Sequence, residues 1–463
     1  MKGPVATLIV AGLAAGLVTP NSKAALLAQQ LSAQSSPNAV SMAEMRLMKT
    51  QQRQEDRDAG MYNADRYTAQ AATECTNGKA GEYSCRNVDL KGFLRHQDTG
   101  SGEREGNDLW AWTSPTGREF GIVGQTDGTA FVEVLKDGSL QYLGRLPTQT
   151  DSSDWRDMKV IGDHAYIGSE AYGHGLQVFD LNKLLDLDPQ NPKTFNIESD
   201  LTAHYSEFGS SHNIIAHEAT NSIFAVGTQR SDGCNAGLWM LDVSDPSNPK
   251  KTGCVSNDGY VHDAQCVIYN GPHQKYKDRE ICFNYNEDTL TIVDITNRTN
   301  PQQLSRTAYK GATYTHQGWI ADKDMRYLLL DDELDEMRKN GPAADQKTTT
   351  YIVDISDLSK PKFTGIYKSP VKSIDHNQYV VDGVSYQANY GSGLRIVDVS
   401  SITQDPTASQ FKELGFFDVH PEDDSIGGQA KFFGAWSVYP WLKSGYILVN
   451  SIERGVYSLK YTA

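Results

Sequence analysis

Short strand-like runs of apolar residues, bounded by Gly, Pro, Asn or Asp, recur along the chain from about residue 88 onward. The clearest share one pattern: GLQVFDL from Gly175, GLWMLDV from Gly237, TLTIVDI from Thr289, TTYIVDI from Thr349 and GLRIVDV from Gly393. Weaker copies are GTAFVEV from Gly128 and RGVYSLKY from Arg454. Successive starts lie 47, 62, 52, 60, 44 and 61 residues apart. Several copies run into a Pro-containing turn and another strand (DPSNPKKTG, NRTNPQQLS, DLSKPKFTG), and two further strand-like runs precede each. Each period therefore holds about four strands, the content of one propeller blade, and seven copies predict an all-β, seven-bladed β-propeller.

The last copy ends the chain after a third strand. VDLKGFL at Val88–Leu94 resembles the outer-strand pieces QYLGRL and FTGIY. It is expected to complete the seventh blade and remove the exposed edge.

Ahead of the repeats the pattern changes. VSMAEMRLMKTQQRQEDR places Met42, Met45 and Met48 at helical spacing among strong helix formers, and predicts a docked helix. The preceding AQQLSAQSSPNA reads as a disordered or removable linker. Further upstream, Lys2, the apolar run Val5–Val18 and the small residues Ser22–Ala24 follow the order of a secretory signal. The expected organisation is a signal peptide over 1–24, a linker and helical extension over 25–70, and the propeller over 71–463.

Charge and cysteine narrow the setting. A formal charge of −15 with no compact Lys/Arg cluster argues against a nucleic-acid partner. No second long apolar run offers a membrane anchor. Six cysteines fit an oxidising compartment, and Asn297-Arg298-Thr299 is an N-glycosylation sequon. Strand order favours Cys234–Cys254 and Cys266–Cys282, and Cys75 and Cys85 remain as a third local pair, the preferred connectivity among the fifteen possible. A secreted, extracellular monomer is expected, whose partner is an extracellular ligand or protein.

The candidate chemistry comes from position within the repeat. His212, His262, His316 and His376 each start an inner strand, at intervals of 50, 54 and 60 residues that match the blade period. Asp157 is read as their equivalent in the preceding blade, with Asp108 and Trp436 in the remaining two. Loops between second and third strands share that face and add Glu170, His174, Glu287, Glu333, Asn389 and Glu453 as candidate ligand-binding residues. Two readings follow. The four histidines converge on a divalent transition metal, for which neutral imidazole is a good ligand. Alternatively, each bonds a neighbouring loop and locks blade to blade. The acidic DDELDE, Asp331–Glu336, lacks the alternation and Gly of an EF-hand loop and reads as a solvated acidic loop instead of a calcium site. No G-x-S-x-G, P-loop or H-E-x-x-H motif occurs.

The IVD strands resemble LVIVD repeats. The wider layout resembles the secreted choice-of-anchor B family, labelled in fungi as regulatory P domain-containing proteins. The stretches that carry this are CTNGKAGEYSC, NDLWAWTSPTGREFGIVGQTDGTAFVEV, WRDMKVIGDHAYIGSEAYGHGLQVFD, GYVHDAQCVIY, YTHQGWIADKDMRYLLLDDELDE and SIDHNQY, within residues 75–461. The resemblance implies a propeller and an extracytoplasmic location, and it implies no established reaction. The family's anchor has no counterpart at the C-terminal end, so a freely secreted form is expected. The functional expectation is a secreted binding or scaffold protein with a His- and acid-lined axial site. A metal-dependent hydrolase or oxidase using the four histidines is the alternative, and a structural module made by the helix docking on the ring is a third.

Overall fold

The computed structural model describes residues 20–463; the apolar run Val5–Val18, read as a secretory signal, lies outside the described residues. Seven sheets form, antiparallel except where Lys193–Thr194 adds a short parallel strand to the first, with inner strands Gly106–Thr113, Arg156–Ile161, Asn213–His217, Asp263–Ile268, Thr315–Ile320, Asn377–Val381 and Ala435–Tyr439. We number the sheets blades 1 to 7 in that order. Each inner strand touches the next, and that of blade 7 touches that of blade 1, so the ring is closed.

The repeat motif is the third strand of each blade, and its chemistry explains its spelling. In blade 4, Thr289–Asp294 is buried throughout, because neighbouring blades cover both faces. The aspartate that ends the motif turns the chain. Asp180, Asp242, Asp294, Asp354 and Asp398 each accept a hydrogen bond from the amide two residues on, at 2.9–3.0 Å. The register then slips by one residue at a bulge against the outer strand in blades 3, 4, 5 and 6.

A glycine on the outer strand lets the next blade approach. A Cβ on Gly253 would lie 2.1 Å from the Arg298 carbonyl oxygen, and one on Gly365 would lie 2.6 Å from that of Pro406. Gly253→Ala must push two backbones apart. It is expected to cost about 1–3 kcal/mol in chemical denaturation, and an unchanged midpoint would show that this contact is loose.

Ring closure is as expected from the sequence. Val88–Arg95 pairs antiparallel with Gly455–Tyr461 and becomes the outer strand of blade 7. All three disulfides join the expected partners: Cys75–Cys85, Cys234–Cys254 and Cys266–Cys282. Cys266 and Cys282 face each other directly across the first two strands of blade 4.

Two helices precede the ring, α1 at Pro20–Leu31 and α2 at Met42–Asp58. The segment read as a free linker is instead pinned to the ring. Leu31 is buried, its carbonyl accepts from the Lys310 amide, and the Val40 amide donates to Thr313. Short sequence windows missed this because the partners lie more than 250 residues away.

Candidate metal centre beneath the N-terminal helix

α2 starts at a capping box: the Ser41 side chain accepts from the Glu44 amide, and Glu44 accepts from the Ser41 amide. The Glu287 carboxylate accepts from the Met42 amide at 2.6 Å and places negative charge at the positive end of the helix. Met42, Met45, Lys49, Arg53 and Asp56 form the buried face, whereas Met48 is only half-buried. The predicted methionine stripe thus continues as charged residues. Their spacing of three and four from Met45 was the available signal, and a charged type read as solvated hid it.

Those charges meet the acidic ring. Lys49 Nζ lies 2.6 Å from Glu333 Oε1, over the rings of Trp436, Phe432 and Tyr390 at 4.8, 5.2 and 5.8 Å. Arg46 grips both oxygens of Glu170 at 2.8 and 2.9 Å. Arg53 pairs with Glu105 at 2.8 Å and donates to the Tyr62 hydroxyl. The axial face is covered by the chain's own helix.

Under that helix the four histidines form an arc. His212 to His262, His262 to His316 and His316 to His376 are 4.1, 4.2 and 4.3 Å apart between ring centroids. Nδ1 of His262 donates to the carbonyl of His316, and Nδ1 of His376 to that of Trp436, each on the next blade. Nδ1 of His212 donates to Glu170 at 2.6 Å. A carbonyl can only accept, so in His262 and His376 the proton sits on Nδ1. Burial pushes all four imidazoles below their usual range, His316 to about 3, so they are neutral, and in His212, His262 and His376 Nε2 carries a free lone pair.

Blade locking and metal binding are therefore not exclusive, because His212, His262 and His376 each use Nδ1 for a neighbouring blade and keep Nε2, whereas His316 Nδ1 is buried with no hydrogen-bond partner among the described residues. Bonding the second nitrogen to a carbonyl or carboxylate is also how metal-ligating imidazoles are oriented.

His262, His316 and Glu333 each offer a ligand atom within 4.8 Å of the others. His316 Nε2 is 3.6 Å from Glu333 Oε2, and His376 Nε2 is 3.5 Å from Glu333 Oε1. A tetrahedral ion with bonds of about 2.1 Å needs donors roughly 3.4 Å apart, so the His316–Glu333 spacing already fits. Glu333 Oε2 is buried without a hydrogen-bond partner among the described residues, so it has a lone pair to give to a cation. Burial would raise the Glu333 pKa, but the Lys49 ammonium at 2.6 Å outweighs it and holds the carboxyl low. In the same way, Glu170 is held at about 2 against its burial by His212 and Arg46.

Other expected site residues are placed elsewhere. Asp157 is not the equivalent of the histidines. It contacts Lys159 at 2.5 Å in another layer of the axis, where Asp108 meets the same ammonium at 3.2 Å. That layer borders a cavity of about 210 Å³ with Trp110, Trp319 and Tyr379 on its wall. In blade 2 it is Arg156, one residue earlier, that starts the strand, and its guanidinium donates to His174 Nε2 at 2.9 Å. His174 donates through Nδ1 to the Gly175 carbonyl, so both its nitrogens are used. Asn389 bonds Gln387, and it is the next residue, Tyr390, whose hydroxyl reaches Glu333 at 2.5 Å. Glu453 accepts from the Gly434 amide, away from the histidine arc, and burial pushes its carboxyl up to about 8. DDELDE is not solvated: Asp331, Asp332, Glu333, Asp335 and Glu336 are all at most 1 % exposed.

A closed seven-bladed β-propeller with a buried His/Glu group at its axis is the class that fold and site define. Three segments, residues 233–256, 284–307 and 343–369, match the LVIVD repeat, each covering the third and outer strands of one blade. No curated protein matches this chain. Among solved structures, the computationally designed Ika8 protein is similar over 80 % of this chain and 99 % of its own, at 10 % identity and a TM-score of 0.42. Among the described residues no helix is long and apolar enough to cross a membrane.

Proposed function

We propose that this protein is a secreted binding propeller whose axial centre holds one divalent transition metal through His262, His316 and Glu333, flanked by His212 and His376. The observation that carries this reading is that His262, His316 and Glu333 each bring a ligand atom within 4.8 Å of the others, beside a Glu333 oxygen with no hydrogen-bond partner among the described residues. Nitrogen donors favour Zn, Cu, Fe or Ni over harder cations. The disulfides, the apolar leader and the choice-of-anchor B resemblance support an extracytoplasmic setting.

The ligand's place is the open groove of about 750 Å³ beside α2, walled by Arg46, Trp155, Glu170, Arg230 and Tyr260. Glu170 joins that groove directly to His212. This continuity favours a second reading, a metal-dependent hydrolase or oxidase fed from the groove.

Elemental analysis of protein purified without added metal tests the centre. About one equivalent of transition metal is expected in the wild type and loss of most of it in His316→Ala. A metal-free wild type that also takes up no Zn²⁺ in equilibrium dialysis would leave the histidines as blade locks alone.

A further inference from the structure

A second group of acids lies between blades 5 and 6. Asp335 and Glu336 belong to the short helix Asp335–Arg338 that follows the second strand of blade 5. Asp375 comes from the connection between the outer strand Lys362–Lys372 and the inner strand of blade 6. Each offers an oxygen within 4.8 Å of the other two. All three are at most 1 % exposed.

Their unmet bonding points to a cation. Glu336 Oε1 accepts from the Thr349 amide at 2.8 Å, and Asp335 Oδ2 from the Tyr351 hydroxyl at 2.7 Å. Asp335 Oδ1, Glu336 Oε2 and both oxygens of Asp375 are buried and, apart from neighbouring carboxyls, have no hydrogen-bond partner among the described residues. The leading charges on these groups are other carboxylates, among them Asp331 and Asp332, and among the described residues no ammonium or guanidinium forms an ion pair with them. Asp332 is otherwise engaged, by the Tyr309 hydroxyl at 2.6 Å and the amides of Thr313 and Tyr314 at 2.8 Å. Asp331 accepts from Gln378 at 2.7 Å. Buried carboxylates without a counter-charge are costly, and a bound metal ion is one of the arrangements that tolerate them.

We propose that Asp335, Glu336 and Asp375 form a Ca²⁺ site that ties the loop after the second strand of blade 5 to blade 6. The donors are all oxygen, which suits Ca²⁺, Mg²⁺ or Mn²⁺ and not the metals that imidazole selects. Mg²⁺ keeps several waters in a strict octahedron, whereas Ca²⁺ accepts irregular shells of carboxylates and carbonyls at 2.3–2.6 Å, which fits a site sealed from solvent. Glu333 stands two residues before Asp335, so the ion would also steady the loop that presents the axial carboxylate. The inference does not depend on the transition-metal reading.

The test is calorimetric titration of Ca²⁺ into the full protein after chelation and desalting, with thermal unfolding alongside. One Ca²⁺ per chain is expected, and saturation about a hundredfold above the dissociation constant should raise the midpoint by roughly 3 °C or more. Asp375→Asn, and independently Glu336→Gln, should weaken Ca²⁺ at least tenfold while melting no lower than the wild type in chelator. His316→Ala should retain Ca²⁺ binding, which separates this site from the axial one. No binding heat and no shift at millimolar Ca²⁺ would overturn the proposal, as would tighter binding of Mg²⁺ than of Ca²⁺.

Discussion

Deleting residues 86–96 is expected to abolish cooperative folding of the whole ring, not to trim one blade. The segment supplies the fourth strand of blade 7, from Val88 to Arg95, paired with Gly455–Tyr461. Val88, Leu90 and Phe93 are buried, at 0, 1 and 8 % exposure, against Tyr457, Leu459 and Phe417. Burying such a side chain contributes roughly 1.5–3 kcal/mol. Losing three removes an amount comparable to the 5–15 kcal/mol by which domains are usually stable. The cut also leaves Gly455–Tyr461 as a free edge, and an unpaired edge recruits other chains. Circular dichroism should show an early, broadened melt, and size-exclusion chromatography should show oligomers. A deletion that melts as sharply as the wild type and at the same temperature would mean that the other six blades hold the ring unaided.

Replacing Lys49 by Met is expected to cost about 3–5 kcal/mol, since it strands the Glu333 carboxylate in a site with 0 % exposure. The remaining donor to Glu333 among the described residues is the Tyr390 hydroxyl, and the facing imidazoles are neutral. Adding Glu333→Gln to Lys49→Met should recover much of the loss, because the double variant carries neither charge. The single variant also reports on the centre. Lys49 Nζ occupies the position of a counter-cation to Glu333, so a metal on Oε2 and the ammonium on Oε1 compete for the charge of one carboxylate. Zn²⁺ should therefore stabilise Lys49→Met more than it stabilises the wild type in parallel melts. Equal shifts in the two proteins would show that the metal binds without displacing Lys49.

That competition gives α2 a clear physical role. Arg46, Lys49 and Arg53 neutralise Glu170, Glu333 and Glu105, three acids of the axial face. The helix is held by charge as well as by Met42 and Met45, so its grip should weaken wherever those acids take another cation.

Some of this was legible in the residues alone. The motif period located the blades, the ending aspartates located the turns, and strand order paired the cysteines. His212, His262, His316 and His376 could be placed on one face because repetition turns a sequence interval into a spatial equivalence. The same logic failed by one residue at Asp157 and at Asn389, where Arg156 and Tyr390 hold the corresponding contacts. Strand side chains alternate, so a single-residue error moves a side chain to a different set of neighbours.

By itself, then, the sequence determined the propeller, its closing strand, the disulfides and the histidine arc. Each of these depends on a pattern that repeats or on chain order, and both are written locally. Only the tertiary structure decided that α2 caps the axial face, that Lys49 stands beside Glu333, and that Asp335, Glu336 and Asp375 meet out of water. Lys49 and Glu333 are 284 residues apart, and a lysine or an acidic run looks the same in sequence whether it is solvated or sealed. Burial and counter-charge belong to the assembled ring, and there the same acidic residues change from a soluble surface into candidate cation ligands.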